Sequence, residues 1–343
     1  MKSKFFVMLI LVFVIGVFGV SAQDDDTINI VATTTQTADL ITILTEGVPE
    51  GTINLTALMG AGVDPHLYQP TESDIRAMNR ADAVFYSGLH LEGQFDTVFE
   101  ALGEQGVLIY AISDPVLDAG YIIGGFDLSE ELTNVNDPHF WFDPLNWQLV
   151  TEGVRDVLIE LDPTNAELYS DNAEAYVEQL GILFDWAYEA MNTVPEGQRV
   201  LVTSHDAFQY FGLAFGWQVR GLQGISTEDE AGVADIQNIS QYVIENEIPV
   251  LFIESSVPPD AIEAVQEAIN AGGGAVQVGV RVLFSDAMGE PDMFGGTYIG
   301  MIATNVYTIL QSYAIAGVEL TIPDYPADLM PQPDEELLTL PTE

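Results

Sequence analysis

The chain has 343 residues, enough for two domains of ordinary size, and its hydrophobic content of 48% is that of a globular protein, not a disordered one. Fifty-three Asp and Glu face eight Lys and Arg, a formal charge of −45; such a surface repels phosphate backbones and anionic headgroups, so neither nucleic acid nor anionic lipid is expected as a partner. Cysteine is absent, which excludes disulfides and thiolate sites and leaves imidazole and carboxylate as the only strong ligands for a transition metal.

Residues 1–22 read as a secretion signal. Lys2 and Lys4 form a basic start, Phe5 to Val20 is almost wholly apolar, and Val20-Ser21-Ala22 places small residues where a peptidase cuts. The apolar run is shorter than the roughly 20 residues of a spanning helix, so cleavage near Ala22 is expected over a retained anchor. With no cysteine at the junction, no acceptor for a lipid is present. The mature protein is expected to be exported and soluble.

Strand-like and helical stretches then alternate. Ile28 to Thr33, Ile53 to Leu58, Ala83 to Tyr86 and Val107 to Ile112 read as strands. Ala38 to Glu46 and Leu91 to Leu102 have helical spacing, and Thr71 with Asp74 forms a capping-box start to another helix. This alternation predicts a parallel sheet with crossover helices. Ser113 to Asn136 loses the pattern and reads as a long loop. Pro144 to Leu161 is helical, and Thr164 to Asn192 is the longest helical stretch. The alternation restarts with strands at Arg199 to Thr203, Trp217 to Leu222, Val250 to Glu254 and Ala275 to Val280. Helices are predicted over Ala207 to Phe215, Ile236 to Glu245, Pro258 to Asn270 and Thr297 to Ala316. A tail from Thr321, with Pro323, Pro326, Pro331, Pro333 and Pro341, reads as irregular.

Histidine is scarce: four in the chain. Two lie in a repeated tripeptide, Asp64-Pro65-His66 and Asp137-Pro138-His139, the second running on into Phe140-Trp141-Phe142-Asp143-Pro144. A third, His205, follows the strand before Ser204, and Asp286 sits in a loop after the last strand. In open α/β sheets ligands bind beyond the carboxyl ends of strands, so two facing halves would bring these loops together. Three neutral imidazoles and a carboxylate suit a divalent first-row metal. Asp64 and Asp137 are placed to hydrogen-bond a backbone or ring N–H and orient the ligands. Glu254, at a strand end, reads as either a solvated acid or such a supporting acid, the second being slightly favoured. His90, without the Asp-Pro context, reads as a helix-start or surface residue. Other chemistries fail simple tests: Ser204-His205-Asp206 are consecutive and cannot form a nucleophilic triad, and Gly272-Gly273-Gly274 lacks the partners of a nucleotide loop.

Five stretches carry a resemblance: GVDPHLYQPTESDIRAMNRADAVFYSGLHLE, DPHFWFDP, LVTSHDAFQYFGLAFGWQVRGLQGISTEDE, LFIESSVP, and LFSDAMG followed by TYIGMIATNVYTIL. In this order they resemble the metal-binding receptors of ABC importers, the zinc and manganese solute-binding proteins with a long helical backbone. The resemblance implies an α/β fold of two lobes, each a four-stranded parallel sheet flanked by helices. It also implies one long helix joining the lobes and one metal in the cleft between them. It maps onto 27–161 as the first lobe, 164–192 as the helix, 199–318 as the second lobe and 319–343 as an acidic, proline-rich tail. Carried over by position, the ligands are His66, His139, His205 and Asp286.

Members with manganese tend to have Glu where His205 stands, so the third imidazole points to Zn²⁺, with Mn²⁺ as the alternative. The resemblance implies a non-enzymatic, monomeric receptor that delivers its metal to an ABC permease in the membrane. The rivals are a secreted metal-dependent hydrolase with Glu254 as its base, and an adhesin-like protein with a structural metal. The chain departs from the family in having no histidine between Ser113 and Asn136, in its tail and in its acidity.

Overall fold

The computed structural model describes residues 27–126 and 135–340. The signal expected over 1–22 lies outside the described residues, as do part of the 113–136 stretch and the last three residues of the tail.

In the first half β1 (Ile28–Ala32), β2 (Ile53–Ala57), β3 (Ala83–Tyr86) and β4 (Leu108–Ala111) form one parallel sheet in the order β2-β1-β3-β4. Helices α1 (Thr35–Leu44), α2 (Glu72–Met78) and α3 (Asp96–Glu104) make the crossovers. The α2 capping box forms as the sequence predicts: Thr71 N–H donates to Asp74 Oδ2 at 2.7 Å, and Asp74 N–H donates to Thr71 Oγ1 at 3.3 Å. Helix α1 begins earlier than its apolar spacing suggests, because Thr34 caps it by accepting from Thr37 N.

The expected long loop is more ordered than its composition implied. It opens with α4 (Asp114–Asp118), where Pro115 suits the first turn, and continues into an antiparallel pair, β5 (Gly124–Phe126) and β6 (Val135–Asn136). Such short elements have no periodicity to read. They deliver the chain to the second Asp-Pro-His.

Helix α5 (Pro144–Leu161) is capped by Asp143, which accepts from Leu145 N–H at 2.9 Å. Helix α6 (Ala166–Met191) follows a short 3₁₀ turn and is 26 residues long, about 39 Å. It buries Tyr169, Ala173, Tyr176, Leu180, Leu183, Ala187 and Ala190, a four-three spacing that keeps one face inward. That face packs on α1 and α5 of the first half and on α7 (Gln209–Phe215) and α10 (Tyr298–Ile315) of the second.

The second half repeats the pattern with β7 (Val200–Thr203), β8 (Gln218–Gly221), β9 (Val250–Leu251) and β10 (Gln277–Val278), and with α8 (Val233–Glu245) and α9 (Asp260–Ala271) outside. The β7–β8 and β9–β10 pairs are two separate parallel two-stranded sheets, linked by Phe252 N–H donating to Val202 O at 2.8 Å, where the first half has one continuous four-stranded sheet. Beyond these strands His205 N–H donates to the Glu254 carboxylate at 2.8 Å.

Separate clusters under α2–α3 and under α8–α9 cover the outer face of each sheet, and one large core, including Trp141, Trp147, Leu180, Trp186 and Tyr298, runs through both halves. The tail is mostly irregular, with one short helix, α11 (Glu335–Leu338). It folds back on the molecule: Leu329 is fully buried, and Tyr325 lies 5.3 Å from Trp186 by ring centroids. No helix among the described residues is long and apolar enough to cross a membrane.

Candidate metal centre

Each Asp-Pro-His builds its own turn. Asp64 Oδ1 accepts from His66 N–H at 2.9 Å, and Asp137 Oδ1 accepts from His139 N–H at 2.9 Å. The proline between biases the aspartate to an extended conformation, and the carboxylate then closes the turn over the histidine amide. Asp137 Oδ1 also lies 2.8 Å from His139 Nδ1. A proton on Nδ1 satisfies that contact and leaves the Nε2 lone pair free.

His205 is held from behind by Glu254, which takes its backbone N–H on Oε1 and faces its Nδ1 at 2.5 Å with Oε2. The sequence marked Glu254 as a supporting acid, and the carboxylate sits there, spent on His205. Gly221 matters to the same loop: any side chain there would collide with the backbone of His205 and Asp206. Asp286 is placed by its flanks. Ser256 Oγ donates to Asp286 Oδ2 at 3.0 Å, Gln36 Nε2 donates to the Asp286 carbonyl at 3.0 Å, and Trp141 Nε1 donates to the Ser285 carbonyl at 3.2 Å.

The four groups converge. His139 Nε2 lies 3.3 Å from His66 Nε2, 3.3 Å from His205 Nε2 and 3.4 Å from Asp286 Oδ1. His205 Nε2 lies 3.3 Å from Asp286 Oδ1, and all four ligand atoms fall within 4.8 Å of one another. Every member is buried, and among the described residues the groups facing Asp286 Oδ1 are the rings of the cluster itself, with no hydrogen bond from outside it. A buried carboxylate oxygen turned to imidazoles in this way is a place for a cation.

The electrostatics agree. Burial drives the His66 ring down to about 3, so it is neutral at ordinary pH. Burial also opposes a proton on His139, but Asp137 and Asp286 outweigh it and carry that ring to about 9. His205 is likewise raised against its burial by Asp286 and Glu254, and Asp286 is held well below the usual carboxylate range by the two rings, again against burial.

His90 lies apart from the four, its Nδ1 2.9 Å from Asp96 Oδ2 and its surface partly exposed, in keeping with a surface role. The residues that sequence reasoning passed over are Ser256, Gln36 and Gly221. Ser256 stood in the LFIESSVP stretch without a role; Gln36 and Gly221 act through packing across the fold and carry no local signal.

The fold and site define a class: two sheet halves spanned by one helix, with a His₃Asp group able to hold a divalent metal in the cleft. The family described as "Zinc-uptake complex component A periplasmic" (ZnuA) matches residues 30–312. The zinc-binding protein TroA of Treponema pallidum is 37% identical over 281 residues, 81% of this chain and 87% of that protein. The manganese-binding lipoprotein MntA of Bacillus subtilis is 37% identical over 288 residues, 84% and 90% of the two chains. The solved structure of the periplasmic zinc-binding TroA superposes with a TM-score of 0.76, covering 83% of this chain and 99% of that one at 37% identity. YtgA of Chlamydia trachomatis, at 24% identity, shares the fold with a TM-score of 0.72. The chain belongs to the ZnuA family of metal-binding receptors of ABC importers.

Proposed function

We propose that this chain is an exported, non-enzymatic receptor that captures one Zn²⁺ through His66, His139, His205 and Asp286 and hands it to an ABC permease. The observation that carries the reading is the spacing of the ligand atoms. A tetrahedral zinc with ligands at ~2.0–2.1 Å separates them by about 3.3–3.4 Å, and four of the distances are 3.3–3.4 Å. Zinc is favoured over manganese because three imidazoles make a nitrogen-rich, buried set. The equal identity to a zinc-binding and a manganese-binding relative makes metal choice the point to test.

A hydrolase needs a base beside an open coordination position. Glu254, the one candidate, is engaged behind His205. In this reading 27–161 and 199–318 act as the two lobes about the 164–192 helix, the signal leaves near Ala22, and the mature protein works outside the cytoplasmic membrane as a monomer. Native mass spectrometry of the purified protein, followed by competitive zinc and manganese titration, tests it: one zinc per chain and tighter zinc than manganese are expected. Tighter manganese overturns the metal, and no stoichiometric metal overturns the receptor.

A further inference from the structure

The metal site is closed unevenly. His139 and His205 expose nothing, whereas His66 keeps 4% of its surface and is followed by Leu67, 53% exposed. On the Asp286 side the halves are stitched by several buried or half-buried bonds. Besides the Gln36 and Trp141 contacts, Met288 N–H donates to Thr35 Oγ1 at 2.9 Å, and Tyr298 N–H donates to Asp39 Oδ2 at 2.9 Å. Beside the second Asp-Pro-His, Tyr210 Oη donates to Asp137 O and accepts from Ile123 N–H, each at 3.0 Å, and near His66 two further side-chain hydrogen bonds between halves come from one loop. Thr227 Oγ1 donates to Asp64 Oδ2 at 2.6 Å, and Gln94 Nε2 donates to Glu228 Oε1 at 3.0 Å. A cleft of about 540 Å³, lined by Asp64, Leu67, Gln223, Thr227, Val257 and Pro258 among others, opens beside the first of these bonds.

We propose that the Thr227–Asp64 hydrogen bond is the latch on the side by which the metal leaves, so that Thr227 sets how long metal stays bound without ligating it. The proposal rests on reading the His₃Asp group as the cargo site. Asp64 uses both oxygens: Oδ1 shapes the His66 turn and Oδ2 receives the Thr227 hydroxyl. A departure of the loop is therefore felt at the carboxylate that positions His66. The loop itself is acidic, Thr227 being followed by Glu228, Asp229 and Glu230. Against Asp64 these charges repel, and the hydroxyl is the donor that lets the loop lie there. A neutral donor on a carboxylate is a strong hydrogen bond, and the short distance fits one. Gln94–Glu228 is more exposed and adds less.

The test is metal release from the zinc-loaded full chain into excess chelator by stopped flow, for native protein, Thr227→Val, Thr227→Ala and Thr227→Ser. Native mass spectrometry first establishes one zinc per chain, and melting of the metal-free proteins is compared. Valine and alanine are expected to speed release about tenfold. Serine keeps the hydroxyl and stays within about twofold of native, and metal-free melting barely moves. Native-like release by both Thr227→Val and Thr227→Ala, each loaded with one zinc, overturns the latch. So does equal acceleration by Thr227→Ser, which would make the missing methyl, not the hydroxyl, the cause. A native chain that takes up no zinc overturns the underlying cargo reading, and the latch with it.

Discussion

Replacing Glu254 by Gln should weaken metal binding by about 10- to 100-fold, although Glu254 touches no metal. The carboxylate accepts the His205 amide N–H on Oε1 at 2.8 Å and sets Oε2 2.5 Å from His205 Nδ1, an ion-pair contact. A glutamine of the same shape has one carbonyl oxygen and one NH₂, so it can accept from only one of them. If the oxygen stays on the amide, the NH₂ faces Nδ1. The ring then keeps its proton on Nε2, the atom a metal requires. If the amide group flips instead, the backbone donor loses its partner inside a buried pocket, which costs about 1–3 kcal/mol. Either outcome matches the loss known for partners that orient metal-bound histidines, about 1.4–2.7 kcal/mol. Losing the charge also eases removal of the His205 proton, which works in the opposite direction. Competition against a chelator at pH 7 and again at pH 9 separates the two effects, because proton competition fades at the higher value. Native-like affinity of Glu254→Gln at both pH values would refute the claim that Glu254 fixes the His205 tautomer.

Metal affinity should rise with pH towards about 9. His139 carries a proton up to about 9 and His205 well above the usual range, and metal must displace both. A slope of roughly one to two decades per pH unit between 6 and 8 is expected, and proton release measured by calorimetry in buffers of different ionisation enthalpy checks it. Asp39→Asn should stabilise the protein at pH 7 by about 1–2 kcal/mol and have no effect near pH 4. Burial raises Asp39 from 3.8 to about 6, so the folded state holds a proton that the unfolded state has shed; stability is lost as pH rises from about 4 to 6 and stays lost above. Urea unfolding at the two pH values reads this. Leu329→Ala should loosen the tail, at a cost of up to about 2–5 kcal/mol capped by the tail's own docking energy. Earlier proteolysis after residue 318, with metal stoichiometry unchanged, is the expected result.

Much of this architecture could be read from the chain because its signals are local. The long helix announces itself through a four-three apolar spacing sustained from Tyr169 to Ala190, and the capping box at Thr71 is complete within four residues. The two Asp-Pro-His turns are also local: each aspartate closes on the amide two residues ahead. Asp286 is different. Nothing in its own neighbourhood separates it from dozens of other acids, and its partners Gln36, Trp141 and Ser256 come from distant elements. The ribbon formed by β5 and β6 is likewise invisible, since strands of three and two residues have no period to detect. The tail reads as irregular because it is. What its composition hides is that apolar residues such as Tyr325 and Leu329 pin it to the folded body.

The two halves share more than parallel strands. In each, a buried glutamate from beyond the third strand grips the turn that follows the first strand. In the first half Glu92 Oε1 accepts the Thr33 hydroxyl at 2.6 Å and the Ser87 amide at 2.8 Å. In the second, Glu254 grips His205. Glu92 and Glu254 are each 2% exposed, and burial raises the Glu92 carboxyl, opposed by its hydrogen bonds to Thr33, Ser87 and Gly88. The acid at this point therefore serves the fold in both halves, closing a strand end that would otherwise leave buried amides unpaired. In the half where the turn carries an imidazole, the same acid also selects a tautomer. The acid that closes the strand end thus also aims the His205 ring, whose Nε2 lies 3.3 Å from Asp286 Oδ1.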